Sequence, residues 1–424
     1  MHSRRITWLF LSISLALSQA SVALSQIYTS SGSTGSDGAL SFPNAKPGDV
    51  IIFNPASFSP PLDPSHDGIF NFTTINIPTG VTVKLSGQIL PGPIFWLASG
   101  NVDIEGTVDL SGANGVVATN QVAQRIPSIP GAGGYAGGTG GMFGGGDPAE
   151  PGLGPQGGIA SGGGCAGSGG FGANTLLVPL FGGSGGGGMI ASGFFGGGGG
   201  AGGGAILVAS SGSITLNGAI LANGGSGGVG GGISSAGGGS GGGIRLVAQT
   251  ITGSGLIQAT GGSNNCTTGG TSGIIRLEAN QLNFTGSENG NITSGTPFAT
   301  FVPTAGNPAP AVKVVSIGGA TVNPNPTGSF STPDVTISSA VAVPIVVQGT
   351  NVPTGTVVHL QIASENGPDI IVDTPGLTGS PQSSTATVNV TFPPGYSHGF
   401  ITASFSTGGS TSPNSIQMKA SIKP

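Results

Sequence analysis

Four stretches of the chain repeat one pattern, and this repetition constrains the fold more than any other feature. They are residues 96–110, 207–221, 246–257 and 277–284, with central alanines Ala98, Ala209, Ala248 and Ala279 spaced 111, 39 and 31 residues apart. An earlier stretch, residues 70–85, alternates in the same way. Each copy is built from short period-two strands separated by Gly, Ser or Asn. Val102, Ile104, Val108 and Leu110 are expected to face one way, and Asp103, Glu105 and Asp109 the other. One such unit cannot bury its apolar edge alone, whereas units stacked at the ~4.8 Å strand spacing bury a continuous core. The expected fold is therefore all-β: a right-handed parallel β-helix (solenoid), with a plain sandwich as the alternative.

Glycine supplies 86 of the 424 residues, and 35 of them fall within residues 131–203, between the first and second copies of the repeat. This segment reads as a glycine-rich insertion. Runs such as 196–200 break the every-third-residue period that collagen requires. So much glycine opposes order, because ordering it loses the most backbone entropy. The charge that accompanies disorder is nearly missing, however, with Asp147 and Glu150 the exceptions. Apolar islands at 176–181, 189–190 and 194–195 interrupt the glycine. Two readings stay open: polyproline-II-like chains laid side by side and paired N–H to C=O, or a loose loop held only by its islands. Residues 224–243 repeat the composition on a smaller scale.

The ends of the chain read differently. Arg4 and Arg5, the apolar stretch 6–17 and the small residues that follow fit a signal peptide over 1–25, too short in its apolar part to span a bilayer. Cleavage would leave 8 basic residues against 15 acidic, a net charge of −7. The mature body is expected over 26–302, a Pro-rich linker at 303–310, and an immunoglobulin-like β-sandwich over 311–424. The last assignment rests on seven alternating strands, at 312–317, 335–337, 341–347, 357–362, 370–372, 385–392 and 399–405.

Charged residues make up only 6% of the chain, with 10 Lys and Arg against 15 Asp and Glu, a balance that argues against a nucleic-acid partner. No later apolar run is long enough to span a membrane. Matches to G-x-S-x-G at 182–186, 224–228 and 238–242 are products of composition, since no helix follows as a nucleophile elbow requires. His66, His359 and His398 are isolated in sequence. Asp103 and Glu105 lie two residues apart with Asp109 beyond, an acidic face that suits Ca²⁺ or glycoside cleavage as well as simple solvation. Arg245 and Arg276 occupy equivalent repeat positions, to stack as a ladder or to meet Glu278. No metal, cofactor or catalytic residue is expected.

Residues 67–83, then 96–100, then the recurring G-G-G-x-I/L motif resemble uncharacterised glycine-rich secreted bacterial proteins over about residues 30–290. The chain is more loosely similar to solenoid passenger and haemagglutinin-type adhesins. The resemblance implies secretion and β-structure and supplies no catalytic residues. A C-terminal membrane barrel and a cell-wall sorting motif are not seen, so no autonomous surface anchor is expected.

These observations predict a secreted, non-enzymatic structural or adhesive protein of the bacterial surface or extracellular matrix, self-associating or bound to a matrix polymer. Tyr135, Phe143, Phe171, Phe194 and Phe195 would be its ligand contacts, or else internal packing anchors. The alternative is a polysaccharide-binding or polysaccharide-degrading β-helix using Asp103, Glu105 and Asp109. The N-terminal segment 26–40 would cap one end of the strand stack or pair with a neighbouring chain in filaments. Cys165 and Cys266, an even count in an exported chain, are expected to form an internal disulfide that folds the insertion back along the repeats.

Overall fold

The computed structural model describes residues 30–63, 68–118, 126–141, 148–177, 180–190, 196–230, 235–264, 269–297, 311–323, 333–364, 370–395, 397–405 and 414–423. They form an all-β chain without α-helix, in which a parallel-stranded region is followed by a largely antiparallel one. No described helix is long and apolar enough to cross a membrane.

The parallel region is laid down in layers. After β1 (Val50–Ile52) come β2 (Ile69–Phe72), β3 (Ile75–Ile77) and β4 (Thr82–Lys84), then β5 (Ile94–Ala98), β6 (Val102–Ile104) and β7 (Thr107–Asp109). The next layers are β8 (Ala205–Ser210), β9 (Ser213–Leu216) and β10 (Ala219–Leu221), β11 (Gly243–Gly253) with β12 (Leu256–Gln258), and β13 (Ile274–Phe284) with β14 (Ser287–Asn289) and β15 (Asn291–Gly295). Strands β1, β4, β7, β10, β12 and β14 pair side by side in one sheet, and the others form the second, larger one.

Alternation explains why these segments are strands and what they bury. Phe70 stands over Trp96, Trp96 over Val208, Val208 over Leu246 and Leu246 over Leu277. In the smaller sheet Val83, Val108, Ile220 and Ile257 form a second column. Every member of both columns is at most 1% exposed. Val102, Ile104, Val108 and Leu110 all point into this core. At the N-terminal end it is aromatic: the Trp96 ring lies 5.5 Å from Phe53 and 6.3 Å from Phe72. At the other end the column under Ile257 finishes in Glu288.

The alanine alignment of the repeats is corrected by one residue. Ala248 faces Ala279, but Ala98 faces Ser210, and Ala209 lies between Leu97 and Val247. In a pleated strand a one-residue slip changes the face. Ala98 and Ala248 are therefore inside, whereas Ala209 packs outside the sheet with Leu177, Leu180 and Leu207.

The glycine-rich segment is also placed differently from a single insertion. Chain leaves the smaller sheet after β7, β10 and β12 and returns to the larger one at β8, β11 and β13, so residues 110–204, 222–242 and 259–273 are three excursions from the same side. They interlock through their backbones. N–H groups of Gly198, Ala201 and Gly204 donate to the carbonyls of Val116, Ala113 and Leu110. Those of Gly199, Gly202 and Ala205 donate to Gly138, Tyr135 and Ala132, and those of Gly200 and Gly203 to Gly237 and Ser240. Carbonyls of Gly203, Gly200 and Gly197 accept from Gly183, Gly186 and Met189, and those of Ala201 and Gly198 from Gly225 and Gly228. The repeat of three is that of a polyproline-II chain, and this one segment touches five others. At many of its positions only glycine fits: a Cβ on Gly202 would lie 1.8 Å from the carbonyl oxygen of Gly183.

At the N-terminal edge of the larger sheet, Leu40 bridges to Ile75, and Asn76 N–H donates to the Leu40 carbonyl. The described part of segment 26–40 thus covers that edge.

The C-terminal region contains β16 (Ala311–Ile317), β17 (Ala320–Thr321), β18 (Val335–Thr336), β19 (Val343–Thr350), β20 (Val358–Ser364), β21 (Ile370–Asp373), β22 (Thr378–Ser380), β23 (Ser383–Val390), β24 (Ser397–Phe405) and β25 (Asn414–Lys423). They form two five-stranded sheets, ordered β17-β16-β19-β23-β22 and β18-β25-β24-β20-β21. Val312, Ile345 and Val347 of the first share one core with Val358, Leu360 and Ile401 of the second.

Candidate functional site

The acidic residues singled out in the sequence do not converge. Asp103 lies on β6 of the larger sheet, between Asn76 and Thr215. Glu105 follows in the turn, exposed, and accepts a 2.8 Å hydrogen bond from Asn217 Nδ2. The chain then changes sheet at Gly106, so Asp109 on β7 belongs to a different face, where it pairs with Lys84 Nζ at 3.1 Å. The expectation of one acidic face over all three residues is corrected accordingly. Among the described residues no cluster of three His, Cys, Asp or Glu side chains could hold a metal ion.

The aromatic contact candidates fare unevenly. Tyr135 is buried between glycine-rich segments with Ala136 and Leu153, and burial pushes its phenol well above the ordinary range. It is a packing anchor, which corrects its role as a ligand contact. Phe171 is half-buried against Leu177, Leu180 and Leu207, and its N–H donates to Thr271 Oγ1 at 2.8 Å. Phe143, Phe194, Phe195 and His66 lie outside the described residues. His359 on β20 faces Asp373 on β21, with Nδ1 against Oδ1. Nothing is described around the His398 side chain. Ser184, in one of the G-x-S-x-G matches, is buried, and its N–H donates to Ser240 Oγ at 2.9 Å, in the middle of another match.

Arg245 and Arg276 meet Glu278. Arg245 Nε and Nη2 donate to the two oxygens of Glu278 at 3.0 and 3.1 Å, and Arg276 Nε to Oε1 at 2.6 Å. Adjacent strands put them together: Arg245 pairs with Arg276, and Glu278 lies two residues on, on the same outer face. All three are buried. Since leaving one partner alone in such a place is strongly unfavourable, the cluster ties β11 to β13.

Cys165 is not a free thiol, and Cys266 lies outside the described residues. The flanks of the two positions touch: Asn264 Nδ2 donates to Ser168 Oγ at 3.0 Å, and Thr271 N–H to the Gly169 carbonyl at 3.1 Å.

One solvent-facing polar array, its members exposed or half-buried, was missed in the sequence. On the larger sheet, Asn76, Asp103, Thr215, Thr252 and Asn283 occupy one column, strand after strand. Ser213, Thr250 and Gln281 form a second column beside it. None of these residues is buried. The signal available was the polar member of each alternating pair in the repeats.

No family model matches the chain, and no curated protein does. Among solved structures it has a likeness to the chitinase ChiW from Paenibacillus sp. str. FPU-7, described as a bacterial cell-surface-expressed multi-modular enzyme machinery, at 10% identity and a TM-score of 0.17. The likeness covers 88% of this chain and 24% of that one, so the chain spans about a quarter of that protein's length. A score this low carries no argument about fold or function.

Proposed function

We propose that the chain is a secreted structural or adhesive protein without enzymatic activity, working at a bacterial surface or in an extracellular matrix. In this reading the parallel region is a β-solenoid, right-handed as parallel crossovers almost always are, and the antiparallel region is an immunoglobulin-like sandwich. The observation that carries the proposal is the backbone lattice: three glycine-rich excursions built into one slab continuous with the parallel sheets. That construction makes a stiff body. Charged groups support it as well. Arg245, Arg276 and Glu278 are spent on one another, and Lys84 on Asp109. A polysaccharide-active enzyme would need acids gathered with Arg or His, whereas Asp103 and Asp109 lie on different sheets and Glu105 sits in the turn between them.

A disulfide between Cys165 and Cys266 belongs to the same proposal, supported by the contacts between their flanks. It would tether the longest excursion across a loop of about 100 residues, an ideal stabilisation of about 4.7 kcal/mol.

Screening the purified chain against plant and bacterial polysaccharides tests the main reading. Reproducible cleavage, abolished by Asp103→Ala, would overturn it. Light scattering reads self-association directly. Titration of two free thiols in the secreted protein would remove the disulfide.

A further inference from the structure

The solvent-facing polar array on the larger sheet differs from the polar groups beside it. At its margins the side chains are satisfied within the chain. Asn101 Oδ1 accepts the Ser213 N–H at 3.1 Å, and Asn217 Nδ2 donates to Glu105. In the central column, by contrast, the side chains of Asn76, Asp103, Thr215, Thr252 and Asn283 make no hydrogen bond to any described residue. Ser213 Oγ and the side chains of Thr250 and Gln281, in the neighbouring column, likewise make no hydrogen bond to any described residue. The backbone under all of them is fixed by ladder pairing, and the side chains between them in sequence, such as Ile214 and Ile251, are locked in the core. The result is a rigid field of hydroxyl, amide and carboxylate groups repeating every ~4.8 Å across the strands and every ~7 Å along them.

We propose that this face binds a neutral polysaccharide lying across the strands, along the stacking direction. A pyranose ring is about as long as the strand spacing, so successive sugars meet successive rungs. Hydroxyls and amides both donate and accept, as sugar hydroxyls do. Charge chooses among polymers. The array carries one acid, Asp103, with Glu105 at its margin and no base in either column, so an acidic polymer would be repelled, and a single carboxylate is a poor match for a polycation. Rigidity adds to affinity, because side chains on a fixed ladder lose little freedom on binding. The inference rests on the adhesive reading above and names its ligand class.

The test uses the full chain and measures its depletion from solution by microcrystalline cellulose, by chitin and by alginate beads. Binding to at least one neutral polymer and not to alginate is expected. Thr215→Arg with Thr252→Arg, which fills the centre of the field, should weaken it about tenfold or more. Thr215→Val with Thr252→Val keeps shape and strand preference while removing two hydroxyls, and should weaken it about threefold. Ser287→Arg, on the smaller sheet, should leave it unchanged. Undiminished binding by the double arginine variant would overturn this face and leave the adhesive reading standing. Preference for alginate would overturn the assignment of a neutral ligand. Failure to bind either neutral polymer would overturn the inference outright, while self-association in light scattering would still uphold the structural reading.

Discussion

The parallel sheets and the glycine slab solve the same problem in opposite ways. In the sheets, large apolar side chains align in columns, and burial of their surface drives assembly. In the slab nearly all side chains have been removed, and backbone N–H and C=O groups satisfy one another in several directions. A sheet tolerates many sequences that keep the alternation. The slab tolerates almost none at its contact positions, since a single Cβ would enter a neighbouring carbonyl. What looks like the least informative composition in the chain is thus its most sterically demanding part.

Substitution at a slab contact should show the sharpest contrast. Gly202→Ala is expected to destabilise by more than about 4 kcal/mol, in the range kept for a few severe mechanisms, because its Cβ would sit 1.8 Å from the Gly183 oxygen. Gly162→Ala meets nothing within 4 Å and should be silent in the same thermal melt. Equal behaviour of the two variants would break the comparison.

On the side-chain side, Trp96→Ala empties the aromatic end of the core and should destabilise by about 3–5 kcal/mol in denaturant unfolding. Trp96 Nε1 is buried without a hydrogen-bond partner among the described residues, so part of the loss is offset by removing an unsatisfied donor. Glu278→Ala strands two buried guanidinium groups and should destabilise by about 3–5 kcal/mol. Replacing Arg245, Glu278 and Arg276 together with apolar residues should recover most of that loss, and failure to do so would mean the cluster does more than join two strands.

The smallest effect concerns Glu288 at the end of a core column. Burial raises its carboxyl above the ordinary range. The folded chain therefore holds this proton to higher pH than the unfolded one. Its contribution favours folding in acid and is lost as pH rises through the carboxylate range and just above it. Glu288→Gln should raise the melting temperature slightly at neutral pH and leave it unchanged in acid.

Alternation made the strands legible. All seven strands expected in the C-terminal region have counterparts, although Asn414–Lys423 was missed despite Ile416, Met418 and Ile422 alternating with polar residues. Register was less legible. Ala98, Ala209 and Ala248 look equivalent, yet the long excursions between them conceal a one-residue slip that only pairing reveals. Least legible was which glycine meets which, because a residue without a side chain carries no pattern to match. The Asn76–Asn283 column went unseen for a related reason: its members are 27 to 112 residues apart between neighbouring strands and become a surface only once the layers are in register.

The lattice has a mechanical consequence. A β-sheet is bonded in one direction across its strands, so load applied at an edge can peel it strand by strand. The segment 197–205 is bonded to five neighbours distributed around it. Pulling one such chain sideways loads bonds on several sides at once, and no single row can unzip ahead of the rest. A body of this kind should resist shear nearly alike from every direction across its chains, a property suited to a component that must hold its shape under flow.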